Sequence, residues 1–110
     1  MSEKEKFLGE FEQMVMLALI HLKDQSYGAK VRRLLDEQVG RSVAIGAIYS
    51  TLDRLEKKGM TESRMGESTP ERGGRPKRYF KVTALGQTAL KKSRSAMNTL
   101  WTGIAIKALP

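Results

Sequence analysis

Arg72-Gly73-Gly74-Arg75-Pro76-Lys77-Arg78-Tyr79-Phe80-Lys81-Val82-Thr83 joins a cationic, glycine-bracketed loop to a short alternating segment. Phe80 and Val82 alternate with Tyr79 and Lys81, which is the period of a half-buried strand. Glycine lets the loop backbone approach a partner closely, and the cations make that partner an anion. The charge is unevenly spread along the chain. Residues 1–71 hold 11 Lys/Arg against 12 Asp/Glu, whereas residues 72–110 hold 9 Lys/Arg and no acid. All of the excess positive charge therefore sits in the last third, which makes nucleic acid the first partner to consider.

Upstream of this stretch the pattern is helical. Phe7, Phe11, Met14, Ala18 and Leu22 recur at three- and four-residue steps. Val15, Met16, Leu17, Leu19 and Ile20 fill the gaps, so the first helix is apolar nearly all round and must be covered on more than one side. Ser26 is the expected N-cap of a second helix over residues 27–39, with Val31, Leu34 and Leu35 inward and Gly40 as the stop. A third helix is expected over residues 44–58. Ile45, Ile48, Leu52 and Leu55 form one face, with Ala47, Ser50, Thr51, Arg54 and Lys58 on the other. Two strands follow, residues 60–66 and 77–83, joined by a loop over 67–76. Thr83 can cap a last helix over residues 84–108, along which Gly86, Leu90, Ser93, Met97, Leu100 and Ile104 repeat in steps of four and three. That is a short heptad-like seam suited to helix pairing.

Composition removes several classes. At 110 residues the chain has room for one domain. It has no cysteine, hence no disulfide framework, thiolate metal site or thiol nucleophile. Its longest apolar run, residues 14–20, is far short of the roughly 20 residues of a membrane span. The mixed-charge start lacks the features of a secretory signal, so the cytoplasm is the expected location. His21 is the lone histidine, at a helix end, and reads as structural. No cluster has metal-ligand spacing. Gly73-Gly74-Arg75 lacks the ending of a phosphate-loop motif. No nucleophile–base pair stands out, so neither an enzyme nor a cofactor is expected.

Helix, helix, helix, strand, basic loop, strand, helix is the order of a winged helix-turn-helix. The expected fold is thus mainly α with a small β-hairpin, plus a C-terminal dimerisation helix. Residues 1–83 would form the DNA-binding part and 84–110 the pairing helix of the same compact unit. In that arrangement the third helix enters the major groove and the hairpin loop touches the flanking backbone. Ala47, Ser50 and Thr51 are small enough for close approach. Arg54 and Lys58 reach further, and Arg72, Arg75 and Lys77 supply the wing's charge.

Tyr27-Gly28, the run Ile48-Tyr49-Ser50-Thr51-Leu52-Asp53-Arg54-Leu55-Glu56-Lys57-Lys58-Gly59, and residues 74–86 resemble the PadR family of transcriptional regulators. The resemblance covers about residues 11–90. It implies a homodimeric winged-helix DNA binder, usually a repressor released by a small molecule or another signal. It resembles most the short members, which dimerise mainly through the last helix. It implies DNA contact for Tyr49, a backbone-proximal place for Tyr27, and basic wing positions at Arg75 and Lys77. Two positions depart from the family pattern. Ser50 stands where many members have proline. Ala44, a poor N-cap, stands where many have Ser or Thr, with Ser42 as its substitute in the DNA-contacting set.

The pairing residues expected on the last helix are Leu90, Met97, Leu100, Trp101 and Ile104. In some short members of the family an aromatic on the last helix lines a dimer pocket for flat, apolar, often cationic ligands. The resemblance thus implies a candidate effector pocket at Trp101, with Met14 and Met97, where stacking on tryptophan would hold the ligand. The plainer reading is that Trp101 packs the dimer interface. Two rivals to DNA binding stand beside it. One is a winged-helix module that docks on protein. The other is a cationic last helix, with Lys91, Lys92 and Arg94, lying on a membrane surface.

Overall fold

The computed structural model describes residues 7–67 and 76–106. The chain runs through α1 (Glu10–Leu22), a 3-10 turn (Lys23–Gln25), α2 (Gly28–Val39), α3 (Ile45–Lys57), β1 (Thr61–Met65), β2 (Arg78–Val82) and α4 (Ala84–Trp101). Most of the expected wing loop, including Arg72 and Arg75, lies outside the described residues.

Helix α1 starts at Gly9, whose N–H donates to Glu12 Oε1 at 3.1 Å. This is the acidic half of a capping box. Lys58 Nζ, from just beyond α3, donates to the other Glu12 oxygen at 3.2 Å. Burial pushes the Glu12 carboxyl up, but the Gly9 N–H and the Lys58 ammonium outweigh it and hold the group below its ordinary value. The inward face of α1 is Val15, Met16, Ala18 and Leu19. The expected stripe was therefore rotated: Phe11, Met14 and Leu22 only flank the core. Leu17 and Ile20 remain about half exposed, so the single chain covers α1 on one side only.

Ser26 does not cap α2. Tyr27 occupies the N-cap position without a side-chain bond. Ser26 is instead buried, its hydroxyl donates to the Phe80 carbonyl, and its carbonyl accepts the Phe80 N–H at 2.9 Å. The helix-entry serine was claimed by a strand 54 residues away. The stop at Gly40 holds: φ is +66°, and Arg41 N–H closes the last turn onto the Leu35 carbonyl at 3.0 Å.

Helix α3 begins after Ala44, and no side chain caps it, Ser42 included. Ile48, Leu52 and Leu55 are fully buried against Val15 and Met16 of α1, Val31 and Leu35 of α2, and Phe80 and Val82 of β2. The hairpin is antiparallel, with Thr61 opposite Val82, Ser63 opposite Phe80 and Met65 opposite Arg78. Phe80 and Val82 point inward as the alternation requires.

Thr83 caps α4 as expected, accepting the Gly86 N–H at 3.1 Å while its hydroxyl donates to the Gly59 carbonyl at 2.7 Å. Gly86 is required by space. A Cβ there would overlap the Met60 carbonyl and come within 2.8 Å of Val82 Cγ1. Helix α4 stops at Trp101, well before residue 108, and turns through Gly103 at φ +82°. Ile104 is thus beyond the helix. The expected seam also divides. Gly86, Leu90 and Ser93 are buried within their own chain, Ser93 Oγ accepting the Leu8 N–H at 3.2 Å. Met97, Leu100 and Trp101 stay exposed.

Two outcomes follow from this packing. Gly86→Ala should lower stability by about 1–3 kcal/mol, the usual range for overpacking a tight contact, read by thermal or denaturant unfolding. Glu12→Gln, which keeps an acceptor for the Gly9 N–H but loses the charge facing Lys58, should destabilise by about 0.2–1 kcal/mol near neutral pH, the range for a partly exposed ion pair. Because the folded carboxyl titrates below its unfolded value, its contribution is present above the unfolded pKa and fades as pH falls through the folded one. The gap between the two proteins should therefore close on acidification, as measured by unfolding at a series of pH values.

Candidate nucleic-acid interface

The outward ridge of α3 is set by which residues the core claims. Ile48, Thr51, Leu52 and Leu55 are buried, which turns Gly46, Ser50, Asp53 and Lys57 to water, with Arg54 beside them. Of the expected reading face, Thr51 alone is buried. Thr51 is 2% exposed, and its hydroxyl accepts from Arg54 Nη2 at 3.3 Å. It steers Arg54 rather than reaching outward. Ser50 and Arg54 are exposed as expected, and Ala47 is half-buried. Lys58 is exposed but engaged with Glu12. Tyr49 lies on the start of α2: a Cβ at Gly28 would sit 2.5 Å from its Cζ. The Tyr27-Gly28 pair thus makes room for Tyr49. Ser42 is exposed and lines a shallow cleft of about 370 Å³ with Arg32 and Arg33 of α2.

At the wing base, Lys77 Nζ lies 4.6 Å above the Tyr27 ring. Tyr27 meets Tyr79 edge-on at 5.5 Å between centroids, and Arg64 covers the Tyr79 ring at 4.9 Å. A cation–aromatic ladder so links the start of α2 to both strands of the hairpin. Lys77 and Tyr27, two of the expected contacts, are brought together by it.

Arg78 was missed. Its guanidinium donates to Glu56 Oε1 at 3.0 Å and Asp53 Oδ1 at 3.5 Å, both on α3. Its Nε donates to Ser63 Oγ at 3.2 Å, and its Cζ sits 4.8 Å from the Phe80 centroid. The signal was available: a two-residue period puts Arg78 on the face of Phe80 and Val82, where a guanidinium needs carboxylates.

The expected effector trio is not assembled within one chain. Met14 is half-buried, its sulfur accepting from Arg41 Nη1 at 3.7 Å, whereas Met97 and Trp101 are exposed on the end of α4. A surface cavity of about 520 Å³ lies between the end of α1 and the hairpin, and none of the three lines it. Leu90, expected at a dimer interface, is 9% exposed and belongs to its own chain's core. No described helix is long and apolar enough to cross a membrane.

Comparison with known proteins places this geometry. Among curated proteins no sequence matches. A PadR-like transcription factor from Bacteroides fragilis superposes with a TM-score of 0.70 at 28% identity, covering 82% of each chain. A PadR family transcriptional regulator from Eggerthella lenta gives 0.67 at 25% identity, covering 86% of this chain and 81% of the other. A transcriptional regulator from Clostridium thermocellum, 23% identical, shares the fold with a TM-score of 0.68 over 82% of this chain and 84% of its own. The model of the Transcriptional regulator PadR-like family matches residues 16–92, from the buried middle of α1 through α3 and the hairpin to the buried half of α4. With a winged helix built on that same span, the chain belongs to the PadR-like family of transcriptional regulators.

Proposed function

We propose that this chain acts as a homodimer that binds a pseudo-palindromic operator and represses transcription. The observation that carries the reading is the outward ridge of α3. Gly46 and Ser50 present almost no bulk near the helix start, and Arg54 and Lys57 stand further along it. A helix with small residues first and long cations after can enter a major groove deeply and still reach its walls. The start of α3 has no side-chain cap, and a helix N-terminus favours phosphate.

Tyr27, Ser42, Ala47, Tyr49, Ser50, Arg54 and Lys57 would form the contact surface of α3 and its approach. Lys77, Arg72 and Arg75 would grip the flanking backbone. Lys58 would act mainly by fixing α3 to Glu12. Residues 84–110 would complete the pairing unit, with Met97, Leu100, Trp101 and Ile104 meeting the partner. Large apolar side chains left half or more exposed, as Trp101 and Leu100 are, are covered at low cost by a second copy. Half-sites would then lie about one helical turn apart. A flat, apolar, cationic effector would stack on Trp101 at that interface and relieve repression.

If the dimer neutralises about 6–10 phosphates, operator affinity should fall by about 10³–10⁵ between 50 and 200 mM salt. A fluorescence titration at several salt concentrations, with the mass of the species read by sedimentation, tests this. A flat salt response or a monomeric species overturns it, and an α3 that docks on protein would give the flat response. Arg54→Ala should cost about 1–3 kcal/mol on the selected operator and far less on random duplex. Equal weakening on both would make Arg54 a phosphate contact.

A further inference from the structure

We infer that Arg78 is the positioning residue that makes α3 tolerable to a polyanion, by holding and neutralising the two carboxylates of that helix nearest the wing. The inference rests on the DNA-binding reading above. Asp53 stands on the outward ridge of α3, between Ser50 and Lys57 in the helical order. Glu56 is half-buried one step toward the hairpin. An uncompensated pair of acids at this place repels the phosphates that the neighbouring cations attract, and juxtaposed like charges are a strong penalty in a complex.

Arg78 meets both acids at once. Nη2 lies 3.0 Å from Glu56 and Nη1 lies 3.5 Å from Asp53. Ser63 closes the arrangement, donating to the second Glu56 oxygen at 3.1 Å while accepting from Arg78 Nε. The guanidinium presents its donors in a rigid planar fork, whereas the three donors of an ammonium rotate about a point charge. The Phe80 ring lies against the guanidinium itself. The same contacts tie β2 to α3, so the angle between wing and recognition helix is fixed by the group that masks the charge. A cleft of about 410 Å³, lined by Asp53, Glu56, Lys57 and Arg78, lies between helix and hairpin. Asp53 and Arg78 keep a third or more of their side-chain surface in water, so the cluster is within reach of an approaching phosphate. Its masking is therefore a matter of binding more than of folding.

The test is a mutant cycle read as operator affinity, with unfolding midpoints measured alongside. Arg78→Met should weaken binding by about 100-fold at low salt, with the deficit shrinking as salt screens the exposed acids. In a D53N/E56Q background the same change should cost less than about threefold, because nothing is left to mask. Arg78→Lys should fall between, keeping the charge and losing the fork. An Arg78→Met loss of equal size in both backgrounds overturns the inference, since Arg78 would then touch DNA directly or act through contacts other than those with Asp53 and Glu56. So does an Arg78→Met protein that binds normally. If Arg78→Met alone does not fold, the comparison of D53N/E56Q with and without Arg78→Met still decides: a large loss there sinks the masking role. Failure of the unsubstituted chain to bind any duplex would instead overturn the DNA-binding reading itself.

Discussion

The hydrogen-bonded clasp between Ser26 and Phe80 holds the architecture in register. A two-stranded hairpin is marginal in water without further support. Here the edge of β2 is held by both polar groups of Phe80, bonded to the hydroxyl and carbonyl of one buried serine. The neighbouring residues, Tyr27 and Tyr79, continue the contact as a bridge of their own. Phe80 and Val82 then enter the core among α1, α2 and α3. The corner between α1 and α2 thus acts as a short third strand. Where the wing stands relative to α3 follows from it, and so does the distance at which Lys77 and α3 can address one surface.

Electrostatics are organised around this frame more sparingly than the composition implies. Several cations near the interface are already engaged. Lys58 holds Glu12, Arg78 holds Asp53 and Glu56, and Lys81 lies 3.9 Å from Glu62 across the hairpin. These pairs are partly exposed and each is worth little as a stabilising contact. Their effect is positional. They fix the end of α3 to the start of α1, and its outer edge to the hairpin.

The apolar surface of α4 divides in the same way between a covered and an uncovered part. The first half of α4 is part of the fold, and Gly86 lets it approach the Met60 carbonyl and Val82. Its second half carries Met97, Leu100 and Trp101 into water, and Leu17 and Ile20 are uncovered on α1. One helix therefore has a buried half and an exposed half, and the change falls between Ser93 and Met97.

Much of this was written in local pattern. Helical and two-residue periods, Gly40 as a stop, and the Thr83 cap depend on neighbours within a few residues, so the order of elements and the inward place of Phe80 and Val82 were legible. The excess of cations beyond residue 71 was legible from composition alone. What pattern did not reach were choices between competing partners. Ser26 had a local use as a cap and a distant use under β2, and the buried strand carbonyl and amide won because leaving them unpaired costs more than leaving a helix end to solvent. Thr51 and Leu90 had the spacing of outward residues, but both are buried in the folded chain, and one-dimensional spacing does not record which faces other segments cover. Arg78 counted as one more cation until folding set two carboxylates from α3 against it. Spacing along the chain sets which faces exist, whereas contact between distant elements sets which of them meet water, because burial and charge pairing depend on where the other segments lie.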